Sequence, residues 1–155
     1  MIQRKQTIYL FIAIICFIAS SCLPLGYLIP NGMGVESTVN SIGVLDGNTG
    51  NLSYPYFALP MFFLALNAFH SLAIIFMYKN MKTQALNCNI QVLAIVVEYI
   101  AGGMLIYTSC IADKNVSFES AFGLFLPITA IIAIIFAHKG IKADINLIKS
   151  VDRIR

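Results

Sequence analysis

The residue with the clearest chemical potential is Glu98, an acid in the middle of the apolar stretch "NIQVLAIVVEYIAGGM", residues 89–104. A charged carboxylate at the centre of a bilayer costs about 2.5–3.5 kcal/mol on insertion scales, so it needs a partner or a function. At helical spacing, Asn67, His70 and Ser71 share one face of an earlier apolar stretch, and Gln91 shares a face with Glu98. If the two stretches form neighbouring helices, the sequence predicts an intramembrane cluster of Asn67, His70, Gln91 and Glu98.

This cluster has two chemical interpretations. In the first, Glu98 is neutral and hydrogen-bonds to Asn67 or His70, which stabilises the contact between two helices. In the second, Glu98 is part of a proton relay with His70 and Asn67. The small number of polar residues in the apolar stretches favours the structural role.

Other chemically active side chains do not form a recognisable site. The four cysteines have no CxxC spacing, which argues against a redox or zinc site. Haem ligation across helices needs two histidines at mid-membrane depth, and only His70 qualifies, because His138 lies at the end of an apolar stretch. We therefore expect no catalytic residues, no metal and no cofactor, and a protein that is not an enzyme.

The elements that would position the cluster follow from composition. The 155-residue chain is 59% hydrophobic and only 11% charged, too few charges to cover a soluble domain. Four apolar runs are long enough to cross a bilayer. We predict an all-α membrane protein, a single domain over residues 1–155 with four transmembrane helices in an antiparallel bundle. The predicted spans are residues 7–29, 55–78, 86–112 and 118–138.

The basic residues predict the orientation. Nine of the ten Lys and Arg residues lie at the two ends of the chain or between the second and third spans, and only Lys114 lies in another connection. The positive-inside rule then places both termini in the cytoplasm, with the chain crossing the membrane several times. The basic character therefore reflects membrane topology, and we expect no nucleic-acid partner.

The two segments outside the spans carry local patterns. The outer loop, residues 30–54, is rich in Gly, Asn and Ser, and its Asp46-Gly47 pair predicts a hairpin turn in a short β-ribbon. The tail, residues 139–155, predicts an amphipathic helix at the cytoplasmic membrane surface. Its acidic residues suit a protein partner better than lipid. The predicted docking residues for lipid or partner are Arg4, Lys142, Asp144, Ile145, Ile148, Lys149, Asp152 and Arg153.

The first apolar run has an alternative interpretation. Two basic residues, an apolar stretch and "IASSC" ending at Cys22 are typical of a bacterial lipoprotein signal peptide. The chain after Cys22, however, continues as "LPLGYLI", which completes a full span. The transmembrane interpretation is therefore preferred.

Both ends of the chain also resemble a known family. "MIQRKQTIYL" and "GIKADINLIKSVDRIR", around four spans of this length, are similar to the Bacteroidetes membrane proteins grouped as domain of unknown function 4293. The residues that match the opening motif are Gln3, Arg4, Gln6, Thr7, Tyr9 and Leu10. Those that match the closing motif are Gly140, Ile141, Asp144, Leu147, Ile148, Lys149, Ser150, Asp152, Arg153, Ile154 and Arg155. The resemblance implies a four-helix inner-membrane protein and supplies no activity, but it places both motifs on the cytoplasmic side.

Three function classes remain. The favoured one is a non-enzymatic subunit or scaffold of a membrane assembly, whose partners are the lipid bilayer and a membrane or cytoplasmic protein, or further copies of the chain. The alternative is a small proton-coupled transporter or channel that uses Glu98. A membrane enzyme is the weakest of the three.

Overall fold

The computed structural model describes residues 5–32, 34–55, 58–112 and 116–152, and over residues 109–112 and 151–152 it describes the backbone alone. Four α-helices dominate this part of the chain: α1 (Lys5–Cys22), α2 (Ala58–Phe76), α3 (Met81–Ala112) and α4 (Phe122–Asp152). A 3₁₀ turn, Met77–Lys79, follows α2. Each helix, α2 together with this turn, is long and apolar enough to cross a membrane. The fold is therefore mostly helical and consistent with a multi-pass membrane protein.

The helices pack in chain order. α1 contacts α2, α2 contacts α3, α3 contacts α4, and α4 packs along α1. One apolar core lies between them, and its fully buried members include Leu10, Phe17, Ile95 and Ile134. Small side chains such as Ala13 and Ala130 are also fully buried there, which lets the helix backbones approach closely. This packing brings the polar faces of α2 and α3 together.

A five-stranded antiparallel sheet lies next to the helix ends. Its strands are β1 (Gly26–Pro30), β2 (Ser37–Val39), β3 (Val44–Leu45), β4 (Leu52–Ser53) and β5 (Val116–Ser120), in the spatial order β4-β3-β2-β1-β5. The sequence predicted only a ribbon inside residues 30–54. The sheet is larger because it also takes in the residues just before that loop, in β1, and a strand from the connection between α3 and α4.

Two predicted helices are therefore wrong at the ends next to the sheet. The first was expected to reach residue 29, but it ends at Cys22 because the ring of Pro24 disfavours the helical conformation at Leu23. The fourth was expected to begin at residue 118, but it begins at Phe122 because residues 116–120 pair along the whole of β1. The apolar residues of these strands are as hydrophobic as those of a transmembrane helix, so hydropathy alone does not predict that they pair in a sheet.

Two other helix limits differ on the opposite side of the molecule. α3 begins at Met81, five residues before the predicted start, because the Asn80 Oδ1 accepts a hydrogen bond from the Thr83 backbone N–H (3.4 Å) as an N-cap does. The predicted tail helix is not a separate element, since α4 runs from Phe122 through Pro127 and Gly140 to Asp152.

Candidate functional site

The predicted polar cluster lies between α2 and α3. On α2, Asn67 and Ser71 are one turn apart and both face α3, and on α3 Gln91 and Glu98 are two turns apart and both face α2. Asn67, Ser71 and Gln91 are buried, with 4%, 0% and 0% of their surfaces exposed. Glu98 is half-buried and therefore lies at the edge of the cluster.

Hydrogen bonds join these four residues, and the backbone carbonyl oxygen of Asn67 connects the Asn67–Glu98 pair to the Gln91–Ser71 pair. The Asn67 Nδ2 donates to the Glu98 Oε2 at 2.7 Å and to the carbonyl oxygen of Phe63, in its own helix, at 3.1 Å. The Gln91 Nε2 donates to the Asn67 carbonyl oxygen at 2.9 Å and to the Ser71 Oγ at 2.7 Å. The network therefore links α2 to α3 at two levels, which is what interhelical polar groups do in membrane proteins.

The structure brings together three of the four predicted cluster residues and leaves His70 apart. Asn67, Gln91 and Glu98 belong to the network, whereas the half-buried His70 has no hydrogen bond or ion pair among the described residues. Ser71 takes the place predicted for His70. Its i, i+4 spacing from Asn67 places it on the predicted polar face, although the predicted cluster did not include it. A serine in a helix most often bonds within its own helix, so its bond to Gln91 was not expected.

One acceptor in the network has no partner. The Gln91 Oε1 is buried and makes no hydrogen bond within the part of the chain that the structure describes. Most buried polar atoms in proteins are paired with protein groups or ordered water. Gln91 therefore carries an unsatisfied acceptor at the fully buried part of the network.

A second polar contact joins the two ends of the chain. The Gln6 Nε2 of α1 donates to the Asp144 Oδ2 of α4 at 2.5 Å, and Gln6 is only 4% exposed. One turn away, the rings of Tyr9 and Phe136 lie 5.7 Å apart. Gln6 and Tyr9 belong to the opening motif of the chain and Asp144 to its closing motif, so the two motifs pack against each other.

The predicted docking residues whose side chains the structure describes divide into two groups. Ile145 is half-buried against the core of the bundle and Asp144 is bonded to Gln6, so both are engaged within the chain itself. Lys142, Ile148 and Lys149 are exposed. Arg4 and Arg153 lie outside the described residues, as does the side chain of Asp152.

On the sheet, Asp46 organises the connection between β3 and β4. Its carboxylate accepts hydrogen bonds from the Thr49 hydroxyl (2.7 Å) and the Asn48 backbone N–H (3.1 Å), and these two bonds, the hydroxyl first, hold the pKa of Asp46 below its usual value of 3.8. The Asp46 carbonyl oxygen accepts from the Gly50 N–H, and Gly50 has a positive φ of 68°. The turn predicted at Asp46 is therefore longer than a two-residue hairpin.

Four helices that are long and apolar enough to cross a membrane, two of them joined by a buried polar network, are consistent with a multi-pass membrane protein that carries a small sheet at one end. The chain belongs to the family described as domain of unknown function 4293, whose model matches residues 2–154. No curated protein shows significant similarity to the chain. The family indicated by the two terminal motifs is thus confirmed, and the match extends over nearly the whole chain.

Proposed function

We propose that the protein is a non-enzymatic subunit or scaffold of a membrane assembly, and that the end of α4 binds its partner. In this proposal the four helices form an antiparallel bundle in the bacterial inner membrane, with both termini in the cytoplasm and the sheet outside. The basic residues around the first residues of α1, the start of α3 and the end of α4 support this orientation.

The length of α4 is the first support. Its 31 residues span about 46 Å, whereas the hydrocarbon core of a bilayer is only about 30 Å thick. Gln6 and Ile145 mark the level where the packing of the bundle ends. Beyond that level, residues 146–150 are all exposed, so α4 extends past the packed part of the bundle that the structure describes.

The apolar surface on this part of α4 carries the proposal. Leu147 and Ile148 are 65% and 50% exposed, and they lie between the charged residues Lys142 and Lys149. Because the bundle holds Asp144 and Ile145, the helix is presented at a fixed angle and not as a loose tail. An exposed apolar pair with a charged rim on a rigid helix is suited to docking in the groove of a partner.

The test compares two double variants in native membranes. Leu147→Ser with Ile148→Ser should abolish recovery of a stoichiometric partner, captured through a tag on the outer loop and quantified by mass spectrometry. The control, Val35→Ser with Ile42→Ser, changes two exposed apolar residues of the outer loop and should leave recovery of the partner unchanged. Equal recovery with both variants would contradict docking through α4.

A second candidate, a small proton-coupled transporter or channel, is favoured by one observation. Glu98 lies at the half-exposed edge of a network that also contains a buried acceptor without a partner on Gln91. Glu98→Gln keeps an acceptor for Asn67 and removes the titratable carboxyl group. Proton-driven flux in liposomes that is present in the natural chain and absent in this variant would favour transport over the scaffold role.

A further inference from the structure

Glu98 and His70 lie on the same lipid-facing line between two helices. We define the α2/α3 seam as this line, formed by Phe63 and His70 on α2 and by Ala94 and Glu98 on α3. On α2, Asn67 points at α3, and His70 lies about 60° around the helix from it, towards the exposed Phe63.

The corresponding positions on α3 show the same displacement. Gln91 is fully buried against α2. Around the axis of α3, Glu98 lies about 20° and Ala94 about 60° from Gln91, and both Glu98 and Ala94 are only half-buried. The carboxyl group and the imidazole are therefore both at the outer lip of the contact between α2 and α3.

These two groups are chemically complementary but are not paired within one chain. No ion pair joins them among the described residues, and the Glu98 carboxyl has one donor, Asn67. Ionisable side chains within membrane spans almost always face a protein interior or another polar group. The α2/α3 seam of a single copy leaves both groups beside lipid.

A second copy satisfies both groups at once. His70 follows Asn67 by three residues, about 4.5 Å along the helix, so it is close in depth to Glu98, which is bonded to Asn67. A two-fold axis along the membrane normal preserves depth and makes every contact reciprocal. We propose that two copies of the chain pack through their α2/α3 seams, with His70 of each copy facing Glu98 of the other.

The remaining side chains of the seam suit such an interface. Ala94 and, two turns further, Ala101 are small and allow close approach of the helices, while Phe63 is exposed and supplies apolar contact area. A lipid chain could cover the apolar residues but offers no charge to either Glu98 or His70. The charge pattern therefore selects a protein with the same pair, and the chain itself has it.

The first test measures self-association of the full chain in liposomes by single-molecule photobleaching over a range of protein-to-lipid ratios. The natural chain should dimerise, and either His70→Gln or Glu98→Gln should raise the dimer dissociation constant roughly tenfold, since each removes one charge of the His70–Glu98 pair at both contacts of the dimer. The double variant should dimerise no more weakly than the single ones, because both changes break the same charge pair. Leu93→Ala, an exposed position of α3 away from the seam, should change the constant less than twofold.

The second test locates the interface by cross-linking between cysteines, with the native cysteines replaced by alanine. Ala94→Cys should cross-link two copies, and Ile128→Cys should not. Ile128 on α4 is exposed. Two contacts set the register of α3 against α4: Tyr99 bonds to the Leu124 carbonyl oxygen, and His138 contacts the Ala85 carbonyl oxygen. In this register Ile128 lies at about the same depth as Ala94.

A chain that stays monomeric at all densities, or dimers insensitive to both seam variants, would overturn this proposal. So would cross-linking through Ile128 without cross-linking through Ala94. The reconstituted chain has no cytoplasmic partner, so these results are independent of whether α4 docks one.

Discussion

At the scale of single residues, Asn67 is the centre of the interhelical network. Its side-chain amide donates to Glu98, and its backbone carbonyl oxygen accepts from Gln91. The sequence predicts its involvement because a buried polar residue within a span must find a partner. The failure for His70 has a physical reason too. Asn67 points directly at α3, because only 4% of its surface is exposed. His70 lies three residues later and is therefore rotated about 60° around α2, which places it outside the contact between the two helices.

Asn67→Leu should therefore destabilise the protein by about 0.6–2 kcal/mol, because Glu98 loses its donor and α2 loses a bond to α3. Unfolding in lipid bicelles measures this free energy. Leu66→Ala, at the neighbouring lipid-facing position, should have less effect than Asn67→Leu. An equal loss in both variants would mean that the bond to Glu98 contributes nothing.

Asp46 predicts a pH dependence in the turn between β3 and β4. Because the pKa of Asp46 is lowered, the bonds from Thr49 and Asn48 stabilise the turn fully when the pH is above the usual pKa of 3.8. This stabilisation is lost as the pH falls through the lower pKa of the folded state. Thr49→Val removes the largest cause, so the pKa of Asp46 should rise. Titration of the carboxyl carbon by NMR checks this, and an unchanged midpoint would assign the shift elsewhere.

At the scale of elements, hydropathy predicts four helices because each helix has to be apolar over the thickness of a bilayer. It does not predict β1 or β5, whose apolar residues look like continuations of the spans. The pairing of Gly26 with Ser120 is also remote in sequence, so no local pattern announces it. The continuity of α4 past Gly140 was missed because a change from apolar to charged residues marks a membrane boundary and not a helix end.

Gly26 is where the sheet depends most closely on one residue. A Cβ there would lie 2.3 Å from the Phe118 ring and 2.7 Å from the Glu119 carbonyl oxygen. Gly26→Ala should therefore destabilise the pairing of β1 with β5 by about 1–3 kcal/mol, with faster hydrogen exchange in both strands. Gly32→Ala, with open space around the added carbon, should exchange like the natural chain. Normal exchange in both variants would show that β5 does not approach Gly26 this closely.

Asp144 should control how firmly the end of α4 is held. Asp144→Ala leaves the buried Gln6 amide without its acceptor, so amide exchange in α4 beyond Gly140 should accelerate roughly tenfold. Lys142→Ala removes an exposed side chain two residues away and serves as the control. Equal exchange rates in the two variants would mean that the bond between Gln6 and Asp144 does not anchor the helix.

At the scale of the whole molecule, the two family motifs are far apart in sequence and adjacent in space. Gln6 and Asp144 join the first turn of α1 to the last turns of α4, while the sheet lies beyond the opposite end of these helices, at Leu25 and Ala121. The molecule therefore has two distinct ends. The sequence suggests this through the placement of nearly all its basic residues, but the direct contact between the motifs needed the helix packing.

In the proposed arrangement, the helices carry the sheet and the end of α4 to opposite sides of a membrane. Gly32→Cys and Ser150→Cys, both at exposed positions, test it in a background without other cysteines. A membrane-impermeant maleimide should label Gly32→Cys in intact spheroplasts and Ser150→Cys only in inverted vesicles. Labelling of both positions from the same side would contradict the account.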